Sequence, residues 1–229
     1  MSKYSVLLSD ADGTLFDFKA GERNAIRITF EHFGFPVTEE NVLCYHHAND
    51  EQWKRLERGE TDQTRLRWER FQVFMERAGL TGDPHQISEF YENQLGQQQI
   101  LLPGALEFCQ EVSRIMPIYL VTNGLAKVQH SRFEKSILAP YIAGLIISEE
   151  IGAAKPDPAM VLEALRLAGK APAEAVLLGD SLTADIPAAI NAGVDSILIR
   201  HECDIPAQHP ATYAVTNLAD ARDLILSAR

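Results

Sequence analysis

Cysteine is scarce in this chain, and the three present, Cys44, Cys109 and Cys203, are far apart and odd in number. That argues against a disulfide framework, and no two of them have the spacing of a metal site, so reduced thiols are expected. Long apolar runs are also missing, and none approaches the roughly 20 residues of a bilayer-spanning helix. Met1-Ser2-Lys3-Tyr4 leads straight into the first apolar stretch with no leader pattern, which predicts a cytoplasmic protein with no membrane attachment. Positive charge is in deficit. With 21 Lys and Arg against 32 Asp and Glu, the formal net charge of −11 disfavours a nucleic acid polymer or an anionic membrane as the main partner. A small anionic substrate is still compatible, because a bound cation and a few basic groups can dominate one pocket inside a negative global field. No internal repeat and no low-complexity tract is present.

What the chain does have is enough apolar material for a sizeable core, 46% of 229 residues, which suits one large domain or a core with a smaller insert. Its most informative stretch is Leu7-Leu8-Ser9-Asp10-Ala11-Asp12-Gly13-Thr14-Leu15. The apolar run from Tyr4 to Leu8 predicts a buried strand, and it ends abruptly in two carboxylates. Asp is a poor strand former and a buried unpaired carboxylate is costly, so either an Asp-Gly turn or a site that offsets the charge follows the strand.

Phe16 to Gly21 has the composition of a linker. From Glu22 to about Gln98 the spacing is helical. Ala25, Ile26, Thr29, Phe30 and Phe33 share one face, and Gly34 closes that helix. Thr38-Glu39-Glu40-Asn41 starts a second that continues as a charged helix through Glu51–Arg58 to Gly59. Asp62 or Thr61 caps a third that runs to Gly79, and a fourth covers Pro84–Leu95. Strand-like runs then return, interleaved with helices. Strands are expected at Pro117–Val121, Ala143–Ile147, Ala175–Gly179, Ser196–Ile199 and Tyr213–Val215. Helices are expected from Leu102 through Val112, at Ala126–Leu138, Pro158–Leu167 and Ile186–Ala192, and at Leu218–Leu226, with a polar loop at Cys203–Pro210. That alternation predicts an α/β protein with a parallel sheet covered on both faces.

Ligands of open α/β sheets sit beyond the carboxyl ends of the strands. Asp10 and Asp12 follow the first strand, Thr122-Asn123-Gly124 the second, a loop to Lys155-Pro156-Asp157-Pro158 the third, and Gly179-Asp180-Ser181 with Asp185 the fourth. Each has an ordinary explanation. Asn-Gly is a common turn, Lys155 could be a solvated loop lysine, Asp185 suits a helix entry, and Asp157 is assigned to capping. Taken together they place four carboxylates, a hydroxyl, an amide and a lysine at one sheet edge. Carboxylates with no His or Cys suit a hard cation such as Mg²⁺, which also takes phosphate oxygens. A carboxylate can form an aspartyl-phosphate, and a second can protonate a leaving alkoxide and then deprotonate water. Such a set meets the demands of phosphomonoester hydrolysis, which is extremely slow unaided.

These four motifs, in this order and over the whole chain, resemble the haloacid dehalogenase superfamily of Mg²⁺-dependent phosphatases. Ser9 departs from the bulky apolar residue more usual there. The resemblance implies a Rossmann-like core of residues 1–16 and 100–229 with an α-helical cap at 17–99. It implies Asp10 as nucleophile and metal ligand, and Asp12 as general acid/base that also binds the metal through its carbonyl. Thr122 and Asn123 would hold the phosphoryl group, Lys155 would neutralise it and the nucleophile, and Thr14 would brace the loop. Asp180 would ligate Mg²⁺, with Asp185 doing so directly or from behind it. A dehalogenase of the superfamily would lack the acid at Asp12. A phosphonate hydrolase would need a cap lysine, and Lys54, the one lysine well inside the insert, lies among charged residues.

Asn49–Glu60 and Leu66–Phe71 resemble the caps of bacterial pyrimidine 5′-nucleotidases of this superfamily. That implies a nucleoside monophosphate such as UMP, dUMP or TMP as partner, with Trp53 or a nearby aromatic stacking on the base. The alternatives are that Trp53, Leu56, Trp68 and Phe71 are only cap core, that the substrate is phosphoglycolate or a sugar phosphate, turned over by a phosphatase or a phosphomutase, or that the fold is a non-enzymatic binding module. A monomer or homodimer is expected.

Overall fold

The computed structural model describes residues 3–201 and 205–228. Met1 and Ser2, at the predicted lead-in to the first strand, and Cys203, at the start of the predicted polar loop, lie outside the described residues. The chain divides into two compact units. One comprises the chain through Phe18, Ile100–Ala126 and everything from Phe133 on. The other comprises Lys19–Gln99 and Lys127–Arg132.

In chain order the elements are β1 (Val6–Ser9), four helices α1 (Phe18–Phe33), α2 (Glu39–Glu57), α3 (Gln63–Ala78) and α4 (Pro84–Leu95), then α5 (Ala105–Val112), β2 (Ile118–Thr122), α6 (Ala126–Glu134), β3 (Gly144–Ile147), α7 (Ser148–Ile151), α8 (Ala159–Ala168), β4 (Ala175–Gly179), α9 (Asp185–Ala192), β5 (Asp195–Ile199), β6 (Tyr213–Val215) and α10 (Leu218–Ser227). The first unit is built on one six-stranded sheet of order β3-β2-β1-β4-β5-β6. Each neighbouring pair is parallel, so this is a Rossmann-like α/β fold.

β1 is apolar throughout because both of its faces are covered. Leu7 packs with Phe108, Val112, Leu218 and Ile225 of α5 and α10. Val6 and Leu8 pack on the opposite side with Met160, Val161, Ala188 and Ala189 of α8 and α9. In register, Ser9 stands opposite Leu120 of β2 and Leu178 of β4. The residues after those strands therefore emerge side by side where the strand order reverses, the usual ligand position in such sheets.

The second unit is held by an aromatic core. Phe30 stacks on Phe74 at 4.8 Å and Tyr45 on Phe71 at 5.0 Å between ring centroids. Thr38, Asp62 and Asp83 cap α2, α3 and α4 by accepting backbone N–H groups. A buried polar chain crosses this core. Glu22 accepts from Asn49 at 2.7 Å and meets His46 at 2.5 Å. Asn49 accepts from Arg70 at 3.3 Å, and Arg70 pairs with Glu92 at 3.6 Å. Lys54 is exposed and Trp53 half-buried. Trp68 is also half-buried and packs on His85, whereas Phe71 is fully buried.

Three expectations are corrected. Phe18 to Gly21 is not linker but the start of α1. Gly21 serves close packing there, since a Cβ would lie 3.1 Å from the Gln98 side chain. Phe16 and Asp17 remain tied to the first unit, through the Phe16–Leu101 bridge and the Asp17 N–H bond to the Ile100 carbonyl. α6 ends at Glu134 and not at Leu138, which is buried but lies in a following turn. The segment after β3 is not all loop, because Ser148–Ile151 forms α7 and Gly152 closes it at φ +76°. Cys44 and Cys109 are free thiols. Among the described residues no helix is long and apolar enough to cross a membrane.

Candidate active site

The carboxyl ends of β1, β2 and β4 bring most of the sequence-predicted residues together. Asp10 continues the ladder, its N–H bonding to the Leu178 carbonyl at 2.8 Å, and its side chain is buried. Lys155 is equally buried and is not a solvated loop lysine. Its ammonium donates to Asp10 Oδ1 at 2.7 Å, Asp185 Oδ1 at 2.6 Å and the Val121 carbonyl at 2.6 Å. Asp185 opens α9 but also turns inward, its Oδ2 accepting the Ser181 N–H at 2.9 Å. Thr14 donates to Asp10 Oδ2 at 3.2 Å. Thr122 is buried at the end of β2. The Asn123 side chain faces the backbone of Lys155, donating to its carbonyl at 2.8 Å and accepting its N–H at 2.7 Å. Ser9 is fully buried and satisfied, its hydroxyl donating to the Asp10 carbonyl at 2.8 Å. Asp157 accepts the Ala159 N–H at the start of α8, a capping role.

Asp12 is half-buried in the tight turn that follows Asp10. The Leu15 and Phe16 N–H groups both bond to the Ala11 carbonyl, and Gly13 bonds to Phe16. Gly13 has φ +88°, and a Cβ there would stand 2.6 Å from Asp180 Oδ2. A glycine thus lets this turn close against the acid that follows β4.

Asp10, Asp180 and Asp185 each offer a carboxylate oxygen, and these oxygens lie within 4.8 Å of one another. Their charges oppose one another. Burial pushes the Asp10 carboxyl well above the ordinary range; Lys155 pulls it back, and Asp185 and Asp180 push it further up. Asp180 is raised to about 6, first by burial and then by Asp185. Burial alone would lower the Lys155 ammonium, but Asp10 and Asp185 hold it above its usual value. One lysine therefore does not balance the cluster. An all-oxygen, triply acidic, partly buried donor set with no His or Cys fits a hard divalent cation.

Gly179 tests that geometry. A Cβ there would overlap the Asp185 carboxylate. Gly179→Ala should displace Asp185, lower Mg²⁺ affinity by about tenfold or more and destabilise the fold by roughly 1–3 kcal/mol. Calorimetric Mg²⁺ titration and urea unfolding check both effects.

Sequence reasoning missed two residues beyond β5. Arg200 donates to the Asp180 carbonyl at 3.4 Å, and the His201 ring is 3.2 Å from the Thr14 carbonyl. Their signal was position alone: they follow a strand at the same edge of the sheet.

A doubly covered parallel sheet with an acid pair after its central strand, a buried lysine and further acids after the neighbouring strand defines an α/β protein whose site is built around aspartate. Residues 4–193 match the haloacid dehalogenase-like hydrolases, and the chain belongs to that family of enzymes. It is similar to the pyrimidine 5′-nucleotidase PynA of Streptococcus pneumoniae, with 32% identity covering 97% of this chain and 95% of that one. It is likewise similar to the pyrimidine 5′-nucleotidase YjjG of Escherichia coli, at 29% identity over 97% of this chain and 98% of the relative. The crystal structure of the HAD-hydrolase YfnB from Bacillus subtilis bound to magnesium superposes with a TM-score of 0.88 at 27% identity, covering 97% of this chain and 99% of that one.

Proposed function

We propose that this hydrolase cleaves phosphomonoesters through an aspartyl-phosphate on Asp10, and that its substrates are pyrimidine nucleoside 5′-monophosphates. The observation that carries the reaction is the buried Asp10 carboxylate held by Lys155 and Thr14 beside two further acids. An Asp10 oxygen attacks phosphorus, forming an O–P bond as the ester P–O bond breaks. Asp12 gives its proton to the departing alkoxide. Asp12 then takes a proton from water, which attacks the same phosphorus, releases inorganic phosphate and restores the Asp10 carboxylate. Thr122 at the end of β2 and the adjoining backbone hold the phosphoryl oxygens. Asp10, Asp180 and Asp185, with the Asp12 carbonyl, would hold Mg²⁺, whose charge stabilises the transferring phosphoryl group. The magnesium-bound relative supports that choice of ion.

The helical unit, in the role of a cap, selects the leaving group. Support for a pyrimidine comes from the two nucleotidase relatives and from half-buried Trp53, which keeps part of its ring available for a planar partner.

A substrate panel with Mg²⁺ tests this. UMP, dUMP and TMP should exceed purine nucleotides, phosphoglycolate and sugar phosphates by about tenfold or more in kcat/KM, a gap of about 1.4 kcal/mol, and EDTA should stop turnover until Mg²⁺ is restored. Equal rates across the panel would remove the pyrimidine assignment. No metal-dependent turnover of any member, nor of an aryl phosphate, would remove the phosphatase assignment.

A further inference from the structure

Asn123 follows Thr122 directly, which suggests a side chain directed at the transferred group. Its hydrogen bonds point elsewhere. An asparagine amide offers one carbonyl oxygen and one NH₂ group. The oxygen accepts the Lys155 N–H at 2.7 Å, and the NH₂ donates to the Lys155 carbonyl at 2.8 Å. Both partners belong to one residue, 32 positions away. The amide therefore grips the Lys155 main chain from both sides, as a neighbouring strand would, at a point where Lys155 belongs to no strand or helix.

The other end of Lys155 is held as firmly. An ammonium has three donors, and all are engaged: one with Asp10, one with Asp185 and one with the carbonyl of Val121. Val121 lies two residues before Asn123, at the same end of β2. One short piece of chain thus fixes Lys155 twice, by its backbone through Asn123 and by its ammonium through Val121. The stem between them is a flexible four-carbon chain when free. Anchoring both ends removes that play and sets where the ammonium meets Asp10.

We infer that Asn123 is a positioning residue, which fixes the backbone of Lys155 and through it the ammonium on Asp10, and whose side chain does not contact the transferred phosphoryl group. The inference rests on the proposed role of Asp10 as nucleophile. A displacement of about 1 Å at a reacting centre can cost on the order of 10²-fold in rate, so loss of the grip should appear in kcat.

The test combines kinetics with a crystal structure of the Asn123→Ala enzyme. Asn123→Ala should lower kcat by about 10- to 100-fold while KM and the inhibition constant of inorganic phosphate stay within about twofold. In the crystal, Lys155 Nζ should have moved from its 2.7 Å contact with Asp10 Oδ1. If the alanine variant does not fold, Asn123→Ser, too short to reach both Lys155 groups, serves in its place. An unchanged kcat, or Lys155 still in contact with Asp10, overturns the inference. So does a joint rise of KM and the phosphate inhibition constant, which would show the side chain binding the phosphoryl group. Should the wild-type enzyme hydrolyse no phosphomonoester, the proposed function fails, and the crystal structure alone still decides whether Asn123 positions Lys155.

Discussion

Asp10→Asn is expected to lower kcat by more than about 10⁴-fold, in line with removal of a covalent nucleophile, while the protein stays folded. The amide is nearly isosteric with the carboxylate and is a far poorer nucleophile. Lys155 would keep its bonds to Asp185 and the Val121 carbonyl, so the site does not collapse. Stability adds a second readout. The Asp10 carboxyl is raised well above its ordinary value by burial, opposed by Lys155 and reinforced by Asp185 and Asp180. A raised acid favours the folded state while it is protonated, and that contribution disappears as pH rises through the folded-state value. In EDTA above that range, wild-type protein carries the cost of an ionised buried acid and Asp10→Asn does not. The variant should therefore unfold at an equal or higher temperature in calorimetry. Residual turnover near the wild-type rate would remove Asp10 as nucleophile. A large loss of thermal stability in EDTA would mean that its charge supports the fold.

Much of this site could be read from the chain because the physics that makes it is local. An apolar run ending in acids, as at Leu8–Asp12 or Leu178–Asp180, marks a strand and what lies at its mouth. Proline and glycine place the helices that follow, with Pro158 at the N-cap of α8 and Gly193 closing α9. What stayed hidden depends on partners distant in sequence. Gly21 looks like linker until Gln98 is beside it. Leu138 fits the helical pattern of α6, but its burial is satisfied from the next turn. Arg70 and Glu92 lie 22 positions apart on different helices, and only the fold shows that they pair inside the aromatic core of the helical unit. Asn123 resembled a turn residue or a phosphoryl contact, and only the fold shows its amide facing Lys155.

Lys155→Met should be the most destabilising conservative change at the site, costing roughly 3–5 kcal/mol, as expected when one partner of a buried ion pair is removed. Methionine reproduces the linear stem but leaves Asp10 and Asp185 without the ammonium that now stands 2.7 and 2.6 Å from them. The desolvation of two carboxylates would then be offset far less, with Thr14 still donating to Asp10 and the Ser181 N–H to Asp185. The sign follows from the lysine's own shift. Burial lowers its pKa, but the two carboxylates hold it above the usual value. Its stabilising contribution is therefore fully present at neutral pH and fades only as pH rises past the ordinary lysine range. Urea unfolding at pH 7.5 in EDTA should show the loss. Lowering the pH should recover part of it as the orphaned carboxylates take up protons. Adding Asp185→Asn to Lys155→Met should recover part as well, because one buried charge is removed, and the two substitutions should be strongly non-additive, as residues in direct contact are. A Lys155→Met protein as stable as wild type, or strict additivity with Asp185→Asn, would show that the lysine does not hold these carboxylates together.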